Sequence, residues 1–507
     1  MLNTDNFVLK QQELQKQEEN NETTERQKRQ NQVFNYAKNK EQKGKYISRE
    51  IEKSLISISP IDGRYSEQTN KLQPFFSEFA LFRYRLKIEI EYFIFLIRTG
   101  LPELHQINHA ENTTNLRAIY KNFDLNDCFI VKKIEFEIKH DIKAVEYFIR
   151  IKLEELSLSK FNSFIHFGLT SQDINNTSTT LSIKHCIEII IYPYIDNIKL
   201  TLQNYANDWK DVVMLGHTHG QPAVPTTVGK EFKVFWNRLH KIHVDLYATE
   251  YYGKFGGAVG NLNAHYAAYP DIDWFSKMNE FIQKFGLIRD PITTQIDNYE
   301  NITCIFDRLK RINTTLIDLN QDIWMYISMR YFSQRIIPGE VGSSTMPHKV
   351  NPINFENSEG NLMIANTLLE FMARKLPVSR MQRDLTDSTV LRNLGVIFGH
   401  IVVAYDSLLK GLEKIEINRT VLQKDLVENN IVIIEGIQTI MRKHGYDNAY
   451  EKCKSLSRTS ETISQYKLES FITTLDVTNE CKEQLRKITI ENYVGNSEKL
   501  VSCDGMD

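Results

Sequence analysis

Residues 309–326 read LKRINTTLIDLNQDIWMY. Leu309, Ile312, Leu316, Leu319, Ile323 and Tyr326 recur at intervals of three and four, with polar residues between them. That spacing gathers the apolar side chains on one face of a helix, a seam of the kind that packs long helices into a bundle. Strand-like alternation is scarce in the rest of the chain. The expected fold is therefore mostly α, with helices longer than the usual ~11 or 12 residues.

The same reading extends outward from this seam. Upstream, Phe79, Phe82, Leu86, Ile90, Phe93 and Ile97 keep the spacing and predict an amphipathic helix, stopped by Gly100 and packed on another helix. KAVEYFIRIKLEEL, residues 143–156, predicts one more. Downstream, about Leu412 to Gly495 reads as a small helical region without a catalytic constellation. Residues 1–50, rich in Gln, Asn, Lys and Glu, hold too few apolar side chains to offset the entropy of ordering. They read as a low-complexity extension, disordered or loosely helical.

With 507 residues, 41% hydrophobic and 25% charged, the chain is long enough for two or three domains. A formal net charge of -2 gives no global reason for nucleic-acid or membrane binding, so any anion chemistry has to come from local clusters. The six cysteines, Cys128, Cys186, Cys304, Cys453, Cys481 and Cys503, form no C-x-x-C pair. This argues against a zinc site or a disulfide framework and fits a reducing cytoplasm. Apolar runs such as Tyr92–Ile97 are far shorter than the ~20 residues of a membrane span.

Several polar stretches lack any core-building pattern. The longest, Gly339–Asn361, reads GEVGSSTMPHKVNPINFENSEGN, punctuated by Gly339, Gly342, Pro347 and Pro352. Asn351 and Pro352 suit the cap and first turn of a helix, where orphan N–H groups and the helix dipole favour an anion. In Phe167–Asp173, FGLTSQD, Thr170 and Ser171 stand at a helix start with Asp173 in the first turn, as a plain cap or as donors to a ligand carboxylate. Gly216–Pro222, GHTHGQP, holds His217 and His219. Its H-x-H invites a metal, but no third ligand is near in sequence and the segment after it is extended, so proton transfer suits these imidazoles better. KFGGAVGN, residues 254–261, is glycine-rich but has neither G-x-G-x-x-G nor Walker spacing, and no predicted strand precedes it. Lys375–Gly395, KLPVSRMQRDLTDSTVLRNLG, carries Arg380, Arg383 and Arg392 with Ser388 and Thr389: a solvated face, or forks for phosphate and carboxylate. Lys139-His140-Asp141 precedes a helix, where His140 also suits a surface or capping role, and SPIDGRY sets the cation Arg64 beside Tyr65 in a turn. A small substrate with two or three negative charges would satisfy these donors. Proton abstraction next to a carboxylate, with acid-assisted departure of the leaving group, needs only a base, an acid and anion clamps, with no cofactor and no metal.

The pattern S-S-x-M-P-x-K-x-N at 343–351 resembles the signature loop of the fumarase/aspartase superfamily. With Pro-His-Lys, then NFENSEGN, then the Lys375–Gly395 text, it is most similar to the adenylosuccinate lyase family of the long bacterial type, over about Ser57 to Gly495. The resemblance implies a mostly α fold of three helical domains, 51–159, 160–412 with a central long-helix bundle, and 413–507, following the 1–50 extension. It implies a homotetramer with active sites shared between subunits, and cleavage of adenylosuccinate to AMP and fumarate. The succinylaminoimidazole carboxamide ribotide of purine biosynthesis would be cleaved in the same way. In that picture Ser343 is the general base and His219 the general acid. Lys349 and Asn351, with Thr170, Ser171 and Ser344, hold the carboxylates, while Gln295 and Asn357 orient the succinyl and base portions. Arg64, Tyr65, Arg383, Ser388 and Arg392 serve the nucleotide end, and His140 positions substrate. Lys139, Asp141, Val350 and Thr389 complete the substrate-binding set. Relatives often have Asn at 139, Glu at 172 and Arg at 217, where this chain has Lys139, Gln172 and His217. Two other readings are an inactive relative kept as a structural or binding protein, and another fumarate-releasing enzyme such as argininosuccinate lyase. Retention of Ser343, His219 and Lys349 speaks against the first.

Overall fold

The computed structural model describes residues 49–338, 345–457 and 465–503. The expected extension, apart from residues 49 and 50, lies outside the described residues, as do residues 339–344 with Ser343 and Ser344.

The elements that position the candidate residues are mostly helices. α1, Glu78–Thr99, starts at Ser77, whose Oγ accepts the Ala80 N–H at 3.1 Å, and stops at Gly100 with φ +85°. The expected amphipathic pattern is not what the helix shows. None of residues 80–97 is exposed, and Arg85, Glu89 and Glu91 are buried with the apolar ones, because α1 runs through the core with neighbours on every side. α2 is Leu125–Ile138 and α3 Asp141–Glu155. α4, Ser171–Cys186, passes through a wide π turn at Ile187–Ile191 into α5, Tyr192–Asp208.

A hairpin follows, β1 Val213–Thr218 and β2 Gln221–Thr227, and then α6, Val228–Tyr247. β3, Tyr252–Lys254, pairs in parallel with β4, Ile288–Asp290, so a short strand does precede the glycine-rich KFGG stretch, contrary to expectation. α7, Glu300–Ser328, contains the 309–326 seam. Leu309, Ile312, Leu316, Leu319 and Ile323 are buried and Tyr326 is half-buried. β5, Phe332–Gln334, leads towards α8, Ile353–Lys375. Pro352 occupies the cap position, so α8 starts one residue later than its sequence suggests. α9, Leu394–Leu412, is followed by β6, Ile415–Ile417, antiparallel to β5.

Polar pairs set the bundle register. Asn320 donates to Ser358 and Asn313 to Asn366, so α7 and α8 run antiparallel. Asn357 donates to Ser407 and Asn361 meets His400, so α9 turns back again. The apolar stretch Thr386–Leu412, long enough by composition to cross a membrane, is mostly buried within this packing. Each aliphatic side chain buried along these seams contributes about 1.5–3 kcal/mol. A second apolar core forms among the C-terminal helices around Leu426, Ile437, Met441, Leu468 and Leu485, and Leu215 of β1 inserts into it. That insertion fixes the hairpin against the C-terminal part of the chain.

Candidate active site

The candidate residues fall into two groups at opposite ends of α7. Tyr299 immediately precedes α7, and Tyr331 follows its end. At 1.5 Å per residue, the 29 residues of α7 hold these ends about 40 Å apart.

At the near end, the FGLTSQD turn starts α4. Gly168 has φ +69°, and a Cβ there would lie 2.7–2.9 Å from the His265 ring. The Tyr92 hydroxyl donates to the Phe167 carbonyl at 3.0 Å and lies 2.7 Å from His265 Nε2. With its proton spent on the carbonyl, Tyr92 accepts from Nε2–H, which leaves Nδ1 as the bare acceptor; Nδ1 is indeed buried without a partner. Burial lowers the His265 pKa to about 4, the Asp173 charge opposing it, so the ring is neutral. His166 Nδ1 sits 2.6 Å from Glu89 Oε1. Burial pulls this imidazole down, but the carboxylate outweighs it and its pKa ends above the ordinary value.

Asp173 holds the turn from within α4. Its Oδ2 accepts the Thr170 N–H at 2.8 Å, while Oδ1 accepts from Lys254 Nζ at 2.7 Å and from the amides of Gly256 at 2.8 Å and Gly257 at 3.1 Å. Both side chains of the Asp173–Lys254 pair are fully buried. The glycine-rich loop therefore spends these amides on an internal carboxylate rather than on a nucleotide.

Gln295, Arg383 and Ser388 join this end. Arg383 donates from Nη1 to Gln295 Oε1 at 3.0 Å and from Nη2 to Ser388 Oγ at 3.3 Å. Beneath them buried Asp387 accepts from the Tyr299 hydroxyl at 2.7 Å, the Gln172 amide at 3.2 Å and the Ser388 N–H at 2.7 Å. Gln172 thus gives Asp387 a donor that a carboxylate at 172 could not. Asp141 is the first residue of α3, where the His140 ring accepts the Lys143 N–H at 3.2 Å as the cap. Asp141, Gln172, Ser388 and Arg392 line a cavity of about 380 Å³. Burial pushes the Asp141 carboxyl up, but Arg85, 2.8 Å away, together with the Ile142 amide and His140 holds it below its ordinary value. Lys139 does not join in. It closes α2 in the left-handed conformation, φ +57°, and its ammonium lies 3.9 Å over the Phe136 ring. Thr389 is exposed, and its carbonyl accepts from Asn393.

At the far end, Tyr65 donates to Asn357 Oδ1 at 3.0 Å, and Asn361 and Ser407 complete the network. Arg64 is exposed beside it. Lys349 and Val350 are exposed and Asn351 half-buried; the Val350 carbonyl accepts from Gln334 of β5. His217 packs its ring 6.2 Å from that of Tyr331. His219 and Gly220 form the two-residue hairpin turn, at φ +56° and +71°, between paired Thr218 and Gln221. Two left-handed residues in succession match a type I′ turn. The His219 ring is exposed and makes no hydrogen bond to another described residue.

Sequence reasoning missed the supporting groups Arg85, Tyr92, His265, Lys254, Tyr299 and Asp387. Charges inside the apolar run of α1 are a readable hint for Arg85 and Glu89. The His-Gly pair, a weaker cousin of Asn-Gly, is one for the hairpin.

The family described as Lyase matches residues 63–366, and that described as Adenylosuccinate lyase C-terminal matches residues 379–494. The chain is 49% identical to the adenylosuccinate lyase of Dictyostelium discoideum, covering 87% of this chain and 97% of that one. It is 43% identical to the adenylosuccinate lyase of Escherichia coli strain K12, over 88% and 98% respectively. Its fold is similar to that of 3-carboxy-cis,cis-muconate lactonizing enzyme from Pseudomonas putida, with a TM-score of 0.67 at 17% identity, covering 85% of this chain and 95% of that one. A fumarate lyase from Mesorhizobium sp. BNC1 gives a TM-score of 0.66 at 16% identity, over 85% and 96%. The mostly α architecture is thus that of the fumarase-like enzymes, and the chain is a lyase that belongs to the adenylosuccinate lyase family.

Proposed function

We propose that this lyase eliminates fumarate from adenylosuccinate, giving AMP, and from the succinylaminoimidazole carboxamide ribotide, giving the aminoimidazole carboxamide ribotide. Ser343 removes the proton from the succinyl carbon next to the one that bears nitrogen. The electron pair forms the new C=C bond as the C–N bond breaks, and His219 delivers a proton to the departing nitrogen. Lys349, Asn351 and Ser344, with Thr170 and Ser171 at the α4 N-terminus, stabilise the carboxylates as charge builds on them. Arg383, Ser388 and Arg392 take the nucleotide end, where guanidinium forks suit phosphate.

The observation that carries the shared-site part of this reading is the distance between the two ends of α7. A small substrate cannot touch Gln295 and His219 of one chain across about 40 Å. If both act, different subunits supply them, and we infer a homotetramer with shared sites. Exposed apolar side chains on the bundle helices support such an assembly: Trp324 and Met325 on α7, and Met363, Ile364 and Phe371 on α8. We divide the chain into helical domains 51–159, 160–412 and 413–507, and assign it to the cytoplasm. All six cysteines remain thiols, in keeping with that compartment.

The test is an ultraviolet assay of fumarate release from adenylosuccinate, with Ser343→Ala as control. Mixing inactive His219→Gln and Ser171→Ala chains, then dissociating and reassociating them, should restore activity. Mixtures that stay inactive would place both groups in one subunit and overturn the shared site.

A further inference from the structure

Arg85 stands in the middle of α1, buried among aromatic and aliphatic neighbours. Its Nη2 donates to Asp141 Oδ2 and its Nε to Asn175 Oδ1, both at 2.8 Å. Asp141 opens α3 beside the His140 cap, and Asn175 lies one turn into α4, just past Thr170 and Ser171. One guanidinium therefore ties two helix N-termini to each other and to the core helix, and its remaining face looks into the cavity shared with Gln172, Ser388 and Arg392. A buried guanidinium is costly to desolvate, and an apolar side chain of similar size would serve α1 packing at least as well. Its use lies in the geometry it imposes, since a rigid fork fixes direction as well as charge.

We propose that Arg85 is a positioning residue for the elimination: through Asp141 and Asn175 it holds the starts of α3 and α4 in the register that the succinyl nucleotide needs. The inference rests on the reading of Asp141, Thr170 and Ser171 as substrate contacts. The charged groups facing Asp141 are few. Arg85 approaches from α1 and His140 from its own helix cap, with Nδ1 3.9 Å away. Glu78, Lys132, Glu135 and Arg392 share the cavity wall. Lys132 is taken up by Glu78 at 2.7 Å and Glu135 at 2.6 Å, and Arg85, in direct contact with Asp141, is the charge that does most to keep it ionised, helped by the Ile142 amide and His140.

The experiment compares wild type, Arg85→Lys and Arg85→Met as full chains, by steady-state kinetics on adenylosuccinate against pH and by thermal unfolding. Arg85→Met should raise KM about 10- to 100-fold, the size expected of a small misplacement of binding groups, with a smaller fall in kcat. Its acidic limb of kcat/KM should move to higher pH, because Asp141 loses the charge that offsets its burial. Arg85→Lys keeps the charge but not the fork, so KM should rise while the acidic limb stays in place. This second variant decides the matter if Arg85→Met does not fold. Folded variants with the wild-type KM and pH profile, beside an active wild type, would overturn the positioning role alone. A wild type that releases no fumarate would instead overturn the lyase reading on which it rests.

Discussion

The turn His166–Asp173 and the hairpin tip Thr218–Gln221 both carry polar candidate residues, and both pass through the left-handed region. They differ in what holds their shape. The first is over-determined: Glu89 holds His166, Tyr92, itself held by His265, holds the Phe167 carbonyl, and Asp173 with Lys254 holds the Thr170 amide. The second is fixed by its own two dihedral pairs and by Leu215 anchoring the strand behind it, and its His219 ring makes no hydrogen bond to another described residue. An anion site built from a helix N-terminus needs its donors aimed, so tertiary contacts surround it. On the proposed reading, His219 is a proton donor displayed to another subunit, which needs instead to project, and its exposure suits that purpose.

This contrast predicts that chemistry and stability separate between the two turns. His219→Gln should lower kcat by about 10² to 10⁴ if the ring is the general acid. Its unfolding free energy should stay within about 0.5 kcal/mol of wild type, since the exposed ring makes no hydrogen bond to another described residue. A large loss of stability in that variant would show that the tip is packed after all. Asp173→Asn is the opposite case. Breaking a fully buried ion pair leaves Lys254 uncompensated and should cost about 3–5 kcal/mol of stability, read by denaturant unfolding. A cost below 1 kcal/mol would mean that the Asp173 linkage is not what holds the first turn.

The same difference governs how much could be read in advance. The 309–326 seam was legible because one face of α7 packs and the other does not, which is what periodicity measures. The all-round burial of α1 was not, because Arg85 and Glu89 score as outward-facing until their partners Asp141 and His166 are known, 56 and 77 residues away. Thr170 and Asp173 were legible as a helix start, since capping is a matter of three neighbouring residues. That Asp173 also captures Lys254 and two glycine amides, about 80 residues on, has no local signature, and nothing in the KFGG sequence itself says where its amides are spent. Gln295 and Arg383 each invited a role, but their direct contact across 88 residues belongs to the fold alone.

Two glycines sharpen the comparison at smaller amplitude. Gly168 and Gly220 share nearly the same φ, +69° and +71°, so an added Cβ meets about the same intrinsic penalty at each, about 1–2 kcal/mol. Their surroundings are unlike: at Gly168 the new atom would press into the His265 ring, and at Gly220 it meets no atom of a described residue within 4 Å. Gly168→Ala should therefore cost the intrinsic term plus about 1–3 kcal/mol of overpacking, and by shifting the ring away from Tyr92 it should also raise KM. Gly220→Ala should cost the intrinsic term only, about 1 kcal/mol, because the less flexible unfolded chain offsets part of it. Measured side by side by urea unfolding, the gap between the two variants isolates the tertiary contribution to the first turn. Equal costs would mean that the His166–Asp173 turn, like the hairpin, is shaped by its own residues, and that its surrounding contacts follow from that shape rather than impose it.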